Sequence, residues 1–164
     1  MQSVLVSGGT KGIGLAIAER LSAPGVHVFL SYAHDDAAAN AAAERVRARG
    51  ATPHLVRADV GSEAGAKAVI DAVAARVSRL DVLVHSAAVQ KVGRLATQRI
   101  AEIRNAIEVG GMALLYLVQP AMKLLGEGSS VLFLSGASTH LVLPGYGALA
   151  SAKALGDCFV RYLA

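Results

Sequence analysis

Ser7-Gly8-Gly9-Thr10-Lys11-Gly12-Ile13-Gly14 follows a short apolar run, Val4-Leu5-Val6, and precedes a helix-like segment at residues 15–21. Strand, glycine turn and helix thus follow one another without interruption. Glycines let the backbone turn tightly and let a pyrophosphate come close, and the N-terminus of the next helix offers free N–H groups and a positive dipole end. This context predicts a nucleotide site. The residues of this loop that we predict to bind the nucleotide are Gly8, Thr10, Lys11, Gly12, Ile13 and Gly14.

Apolar strand patterns alternate with helical patterns along the rest of the chain. Such alternation predicts a parallel sheet with right-handed crossovers, a Rossmann-type doubly wound α/β fold of three layers, α/β/α. The fourth helical pattern is long, and we expect it to bend at Gly110-Gly111 or to be interrupted near Pro120. The further strands are predicted at residues 26–32, 54–58, 81–85 and 131–134, and the further helices at residues 35–49, 62–78, 97–125 and from about 146 to the end of the chain.

Length and composition indicate one domain with a real core. The 164 residues are 54% hydrophobic and only 4% aromatic, and the excess of Ala, Val and Leu suits small helices packed on a buried parallel sheet. The sequence contains no internal repeat and no low-complexity linker. We therefore expect residues 1–164 to form a single NAD(P)-binding domain.

Several classes of partner are disfavoured by the same composition. The net charge of +4 comes from scattered Lys and Arg, whereas a nucleic-acid surface needs a basic stripe with aromatic side chains. No apolar run reaches the roughly 18–20 residues of a membrane span, and no secretory signal pattern opens the chain. The single Cys158 fits a reducing compartment, and no Cys/His cluster has metal spacing. These features predict a cytoplasmic protein without a nucleic-acid, membrane or metal partner.

Residues that follow the strands should meet at one edge of the sheet, because ligands of such sheets lie beyond the carboxyl ends of the strands. Residues 8–14, the region of Tyr32, Asp59, residues 85–88 and residues 135–138 should therefore converge. The carboxylate of Asp59 is predicted either to bond an adenine amino group or to cap the following turn.

The cofactor is predicted to be NADPH, with NADH as the less favoured alternative. Lys11 lies inside the glycine loop, where its amine could reach a 2′-phosphate, and His34 could assist it. An NAD site usually carries an acid about twenty residues after the glycines. Here Asp35 and Asp36 come slightly later, at the front of a predicted helix, where we expect them to serve the helix rather than a ribose.

These residues together resemble the short-chain dehydrogenase/reductase family. Residues 7–14 resemble its Thr-Gly-x-x-x-Gly-x-Gly fingerprint, Asp59-Val60 its adenine-contacting Asp-Val, and residues 85–88 its Asn-Asn-Ala-Gly stretch. Leu134-Ser135 and Pro144-Gly145-Tyr146 resemble its active-site strand and loop, so the resemblance covers essentially the whole chain. It implies that the cofactor residues also include Tyr32, His34, Val60, Ser86, Ala87, Ala88 and Lys153. His85, in the place of an asparagine, is expected to be a structural histidine bonded to the backbone.

The spacing of two residues resembles a particular branch of that family. The ordinary pattern Tyr-x-x-x-Lys would place its tyrosine at Leu149, but the tyrosine is Tyr146, seven residues before Lys153. Tyr-x6-Lys is similar to the enoyl-acyl-carrier-protein reductases, here combined with an ordinary glycine fingerprint. Seven helical residues make about two turns, so Tyr146 and Lys153 would share a face. The serine that many members carry falls on Gly136, which Ser135 and Ser138 flank.

The resemblance implies an NADPH-dependent reductase that acts on the C=C bond of 2-enoyl thioesters in fatty-acid or polyketide metabolism. The acyl group would be carried by acyl carrier protein or coenzyme A. The implied catalytic residues are Tyr146 and Lys153, with Ser135 or Ser138 in support.

Two alternatives stay open. One is a carbonyl reductase of the same fold, acting on 3-oxoacyl thioesters or other ketones. The other is a nucleotide-binding module without catalysis, which Gly110 and Gly136 favour because they stand where members carry an asparagine and a serine.

Family members usually run to about 250 residues, as the resemblance implies. We therefore expect either a C-terminally truncated domain, which lacks the last strands and the loop over the substrate, or a complete protein without that loop. The long helix at residues 97–125 and the last helix are apolar enough to pair between subunits, so we expect a homodimer or homotetramer.

Overall fold

The structure, a computed structural model, describes residues 2–164 and contains one parallel sheet. The strand order is β3-β2-β1-β4-β5. Val4 in the central strand pairs with Val28 on one side and Val82 on the other. This order confirms the predicted doubly wound sheet and creates a crevice where the connections diverge, beyond β1 and β4. The strands are β1 (Ser3–Ser7), β2 (His27–Tyr32), β3 (Thr52–Arg57), β4 (Val82–His85) and β5 (Ser130–Phe133).

Within residues 2–164, six α-helices connect or flank these strands, which confirms the predicted alternation. Among the helices described, none is both long enough and apolar enough to cross a membrane. The helices are α1 (Gly12–Leu21), α2 (Asp36–Ala48), α3 (Glu63–Ala74), α4 (Ile100–Ile107), α5 (Ala113–Ala121) and α6 (Gly147–Leu163), with a π-helical turn at Glu108–Met112 and a 3₁₀ turn at Ala137–Thr139.

Several helices differ in extent from the prediction, and α1, for example, begins at Gly12 rather than at residue 15. The predicted helix at residues 62–78 ends at Ala74, and beyond it the Leu80 N–H donates to the Leu124 carbonyl at 2.9 Å. The predicted helix at residues 97–125 is divided into α4 and α5 by a π turn at Gly110-Gly111, one of the two places where an irregularity was expected. Helix α5 ends at Ala121, just after Pro120, which is the other place.

Close packing explains why glycines occupy that π turn. A Cβ on Gly111 would lie 2.8 Å from the carbonyl oxygen of Ala152 in α6, and one on Gly110 would lie 3.1 Å from the Ala152 Cβ. Only residues without side chains let the turn approach α6 this closely. The π turn therefore fixes the position of α6 relative to the sheet.

The core lies on both faces of the sheet. Alternate residues of β1 point to opposite faces, so Leu5 packs with α3 and α5, whereas Val4 and Val6 pack with α1 and α2. All five residues of β1 are buried. Strands buried on both faces account for the nearly continuous apolar runs in the sequence.

Helix α6 packs against the edge strand β5 through the aromatic ring of Phe133. This ring lies so close to α6 that a Cβ on Gly156 would be 2.5 Å from its Cε1 atom and nearer still to Cζ. Residues 153–156 therefore lie against this ring, and the contact sets where Lys153 is held.

We expect Gly156→Ala to lower the free energy of unfolding by about 1–3 kcal/mol, because overpacking strains the contact with Phe133. Alanine gains up to about 1 kcal/mol of helix propensity, which does not offset an overlap with a rigid ring. Thermal and urea denaturation measure the change. Gly136→Ala is the matched control, because φ is −160° there and its nearest neighbour, Ser138 Oγ, is 3.8 Å away. Equal stability of the two variants would contradict this account of α6.

Candidate functional site

A cavity of about 790 Å³ lies at the carboxyl ends of β1, β2, β4 and β5. Its wall brings together every residue that the sequence predicts for the cofactor. These are Gly8, Thr10, Lys11, Gly12, Ile13, Gly14, Tyr32, His34, Asp59, Val60, Ser86, Ala87, Ala88 and Lys153. Of the other predicted site residues, all of which are described, Ser135 lines the cavity, whereas Tyr146 and Ser138 do not belong to its wall.

The glycine loop has the geometry of a phosphate cradle. Gly8 and Gly12 have φ angles of 66° and 51°, which side chains rarely tolerate. A Cβ on Gly14 would overlap the Gly8 carbonyl oxygen, and one on Gly8 would lie 2.8 Å from the Ala87 Cα. Helix α1 begins at Gly12, and no side chain of the described residues caps it. Its first N–H groups are therefore free to bind an anion, so the loop fits a dinucleotide pyrophosphate.

The end of the cavity beside β2 contains an ion pair that the sequence patterns did not predict. The Lys11 ammonium bonds the carboxylate of Asp35, which also accepts the N–H of Ala38 at 2.9 Å and so caps α2. The Ala38 N–H and then Lys11 lower the pKa of Asp35. Asp35 therefore serves the helix front, as predicted, and also neutralises the lysine that was predicted to meet a 2′-phosphate.

The neighbouring acids also have local partners. Asp36 accepts the Tyr32 hydroxyl at 2.8 Å and Arg57 at 3.0 Å. Asp59 Oδ1 accepts the Gly61 N–H at 2.9 Å, so Asp59 caps a turn while it also lines the cavity. The two interpretations of Asp59 are compatible, because a carboxylate has two oxygens and the turn uses Oδ1.

His85 is completely buried behind the cavity wall. Its Nδ1 lies 2.6 Å from the Ser7 hydroxyl, and its ring stacks on Phe133 with centroids 5.7 Å apart. Within residues 2–164, Nε2 has no hydrogen-bond partner. The histidine is thus structural, as expected, with the Ser7 hydroxyl on Nδ1 and the backbone of Val109 and Gly110 close to the ring. Burial, and then the charge of Lys153, lower the pKa of His85 to about 3 against the opposing effect of the Val109 and Gly110 backbone, so the imidazole is neutral.

Lys153 reaches the cavity from α6 and is itself 6% exposed. Its Nζ lies 4.8 Å from the centroid of the Phe133 ring, a cation–π distance. Burial lowers the pKa of Lys153, and the charge of Asp157 opposes that shift. The Ser135 hydroxyl donates to Asp157 Oδ2 at 2.8 Å. The segment after β5 and helix α6 are thus joined beside the lysine.

Tyr146 immediately precedes α6 and is half-buried. It follows Gly145, whose carbonyl accepts the Gly93 N–H at 3.0 Å, so it stands where the loops after β4 and β5 meet. Leu149, one turn further along α6, occupies the cavity wall beside Lys153. Ser138 lies half-buried in the 3₁₀ turn. The catalytic roles of Tyr146 and Ser138 therefore remain sequence-based predictions.

Sequence reasoning missed several polar side chains near the site, two of which lie on helices. Asn105 of α4 contributes to the cavity wall, and Asp157 bonds Ser135 from α6. No motif marks either of them, since both fall within ordinary helical patterns. In the described part of the chain, no three His, Cys, Asp or Glu side chains are grouped to hold a metal ion.

Residues 8–164 match the family model described as Enoyl-(Acyl carrier protein) reductase. An uncharacterized oxidoreductase of Methylorubrum extorquens is 34% identical over 140 residues, which are 85% of this chain and 56% of that protein. The 3-oxoacyl-[acyl-carrier-protein] reductase of Staphylococcus aureus is 30% identical over 120 residues, 73% of this chain and 49% of that protein. The chain therefore spans about half the length of these relatives.

A solved structure has the same fold. A short chain dehydrogenase from Burkholderia cenocepacia, in complex with NADP, superposes with a TM-score of 0.92 at 29% identity. The superposition covers 99% of this chain and 66% of the other.

We expect acid to destabilise the protein through His85. A histidine with a pKa near 6.5 when unfolded and about 3 when folded stabilises the fold fully above pH 6.5 and progressively less as the pH falls towards 3. Its contribution at pH 5 is smaller than at pH 7 by about 2 kcal/mol. Urea denaturation at both pH values should show that His85→Asn removes this difference. His140→Gln, at an exposed position, is the control and should retain it. A pH dependence unchanged by His85→Asn would contradict the assignment.

Proposed function

The chain belongs to the short-chain dehydrogenase/reductase family, and we propose that it takes part in NADPH-dependent reduction of the C=C bond of 2-enoyl thioesters. The observation that carries this proposal is the convergence of the fourteen predicted cofactor residues on one cavity, next to the free N–H groups at the start of α1. The proposed site residues are those fourteen with Tyr146, Ser135 and Ser138.

The cofactor proposal rests on the shape and charge of the cavity. Gly8, Gly12 and Gly14 leave room for the pyrophosphate, and Asp59 and Val60 border the place for the adenine. Lys11 and His34 supply donors for a 2′-phosphate at the same end. Similarity to a dehydrogenase solved with NADP supports NADPH over NADH.

A bound nicotinamide would supply a hydride to the β-carbon of the enoyl group, and a proton from solvent would complete the reduction at the α-carbon. The work of the chain's own residues is to orient the substrate and stabilise the negative charge that develops on the thioester oxygen. The Tyr146 hydroxyl donates a hydrogen bond to that oxygen. The Lys153 ammonium, held over the Phe133 ring in the cavity wall, would bind the cofactor ribose.

The substrate proposal draws on an apolar surface beside Tyr146. Three consecutive side chains of the loop after β5 are exposed, and Val142 is 98% exposed. Val92 and Leu95 of the loop after β4 add to the same surface, which lies against Gly145 and Gly147. An acyl chain is a suitable ligand for such a surface, because its methylenes gain by leaving water. The consecutive residues are Leu141, Val142 and Leu143.

A second candidate is carbonyl reduction of 3-oxoacyl thioesters. Similarity to a 3-oxoacyl-[acyl-carrier-protein] reductase favours it. Leu149 opposes it, because a leucine occupies the cavity wall where the ordinary family pattern has its proton-donating tyrosine. Enoyl reduction is the better supported of the two, since the matched family model carries an enoyl reductase description.

We further propose that residues 1–164 act as one nucleotide-binding domain and assemble as a homodimer or homotetramer. Exposed apolar side chains on two helices support assembly, among them Ile100 of α4 and Tyr162 of α6. The acyl carrier is proposed to be acyl carrier protein or coenzyme A.

Oxidation of NADPH, followed at 340 nm, tests the function with crotonyl and acetoacetyl thioesters in parallel. We expect turnover of the crotonyl thioester and little or none of the acetoacetyl thioester. The opposite preference would establish the carbonyl reductase. Silence with both substrates, while NADPH still binds, would favour a nucleotide-binding module.

A matched pair of tyrosine variants belongs to the same test. Tyr146→Phe should reduce turnover by about 10²-fold or more, because it removes the donor to the developing charge. NADPH affinity should be unchanged. Tyr162→Phe, at a position 87% exposed on α6, is the control and should turn over like the unaltered protein.

The Lys11–Asp35 ion pair yields a prediction about cofactor choice. Asp35→Asn should tighten NADPH binding about three- to tenfold, because the 2′-phosphate no longer competes with a carboxylate for Lys11. Binding of NADH, which has no such phosphate, should change little. Asparagine is also a good helix cap, so α2 should keep its start. Fluorescence titration of both cofactors measures the effect.

Asp36→Asn is the matched control for that titration. It makes the same change in charge one residue away, where the carboxylate faces Tyr32 and Arg57 instead of Lys11. Weaker NADPH binding by Asp35→Asn would show that Asp35 serves the cofactor rather than competing with it.

A further inference from the structure

Lys153 is a buried cation that has no ion-pair partner among the described residues. It is 6% exposed, and within residues 2–164 no carboxylate lies within 4 Å of its Nζ. A lysine so placed tends to lose its proton, because burial disfavours the charged form. Something in the fold must oppose that tendency if the ammonium is to act in the cavity.

The groups around Lys153 supply one opposing charge. From β5, the Phe133 ring offers its face at 4.8 Å. From β4, His85 is neutral and bonded to Ser7, so it neither repels nor attracts strongly. From α6 itself, Asp157 lies one helical turn beyond Lys153 on the same face. Its negative charge raises the pKa of Lys153 against the effect of burial.

Asp157 is held in place by a residue of the cavity wall. The Ser135 hydroxyl donates to Asp157 Oδ2 at 2.8 Å and so ties the carboxylate to the carboxyl end of β5. A solvent-facing aspartate would sample several rotamers, and its attraction for the lysine would be screened by water. The hydrogen bond restricts the rotamers of the Asp157 carboxylate even though the pair is exposed to solvent.

We propose that Asp157, anchored by Ser135, is a positioning residue that keeps Lys153 in its cationic form. One consequence concerns Ser135 itself. Since its proton is donated to Asp157, Ser135 presents an acceptor to the cavity, and Tyr146 remains the donor to the substrate oxygen. Ser135 thus has two effects: it holds the carboxylate that stabilises the Lys153 ammonium, and it places an acceptor oxygen in the cavity.

The titration of Lys153 tests the proposal directly. In protein labelled with ¹³Cε-lysine, NMR follows each lysine from pH 6 to pH 11, and Lys153→Arg identifies the resonance of Lys153. We expect Asp157→Asn to lower the titration midpoint of Lys153, because the opposing negative charge is removed. Ser135→Ala should lower it by less, because the carboxylate is released but still present. Asp157→Ser repeats the test should the asparagine variant fail to fold.

The matched control is Asp71→Asn, which removes an exposed carboxylate of α3 that pairs with Lys67. It changes the net charge equally and should leave the Lys153 midpoint unchanged. Equal midpoints in Asp157→Asn and Asp71→Asn would overturn the proposal.

A second, kinetic test rests on the proposed function, because it measures turnover. In the pH profile of kcat/KM with crotonyl thioester, Asp157→Asn should shift the basic limb to lower pH by the same amount as the NMR midpoint. An unshifted basic limb beside a shifted midpoint would overturn the role of Lys153 in turnover but not its control by Asp157. Absence of turnover in the unaltered protein would contradict the proposed function alone, since the NMR titration needs no reaction.

Discussion

The close approach of three backbone segments at the crevice constrains the rest of the structure. The first turn of α1 passes within van der Waals contact of the Gly8 carbonyl, and the segment after β4 touches Gly8 from the other side. Any side chain at Gly8 or Gly14 would force these segments apart. Because the segments follow adjacent strands, their separation would also disturb the pairing of β1 with β4. The glycine loop is thus a packing element of the sheet before it is a ligand site.

A second close contact fixes the opposite wall of the cavity. The π turn meets α6 at Gly110 and Gly111, and the Phe133 ring meets it at Gly156. Helix α6 is therefore held between the π turn and the edge strand by contacts in which glycine supplies the space. Because cores are close-packed and transmit displacement, the position of Lys153 depends on glycines that stand behind the cavity wall rather than in it. Such a wall is more precise than one built on loops alone.

Sequence patterns predicted the parts of the molecule that depend on local rules. The parallel sheet, the alternation of helices and the cofactor residues follow from periodicity, turn chemistry and sheet geometry, and each of those cofactor residues lines the cavity. The pairing of Lys11 with Asp35 and of Ser135 with Asp157 was not predictable, because each joins elements whose relative positions depend on packing. The glycines likewise predicted a bend in the helix at residues 97–125, but its π geometry depends on the contact with Ala152 in the last helix.

The charged and aromatic groups around Lys153 come from β4, β5 and α6, so they connect the sheet with the last helix. A buried ammonium is stable only where nearby groups offset the loss of water, and here the offset is divided between an aromatic face and a carboxylate one turn away. A protonated His85 would add a second positive charge to the same small volume. Burial and the charge of Lys153 prevent that protonation, so the histidine contributes shape and a bond to Ser7 without competing for the carboxylate. The neutral histidine in β4 therefore favours the cation beside it, and the Phe133 ring contacts both side chains.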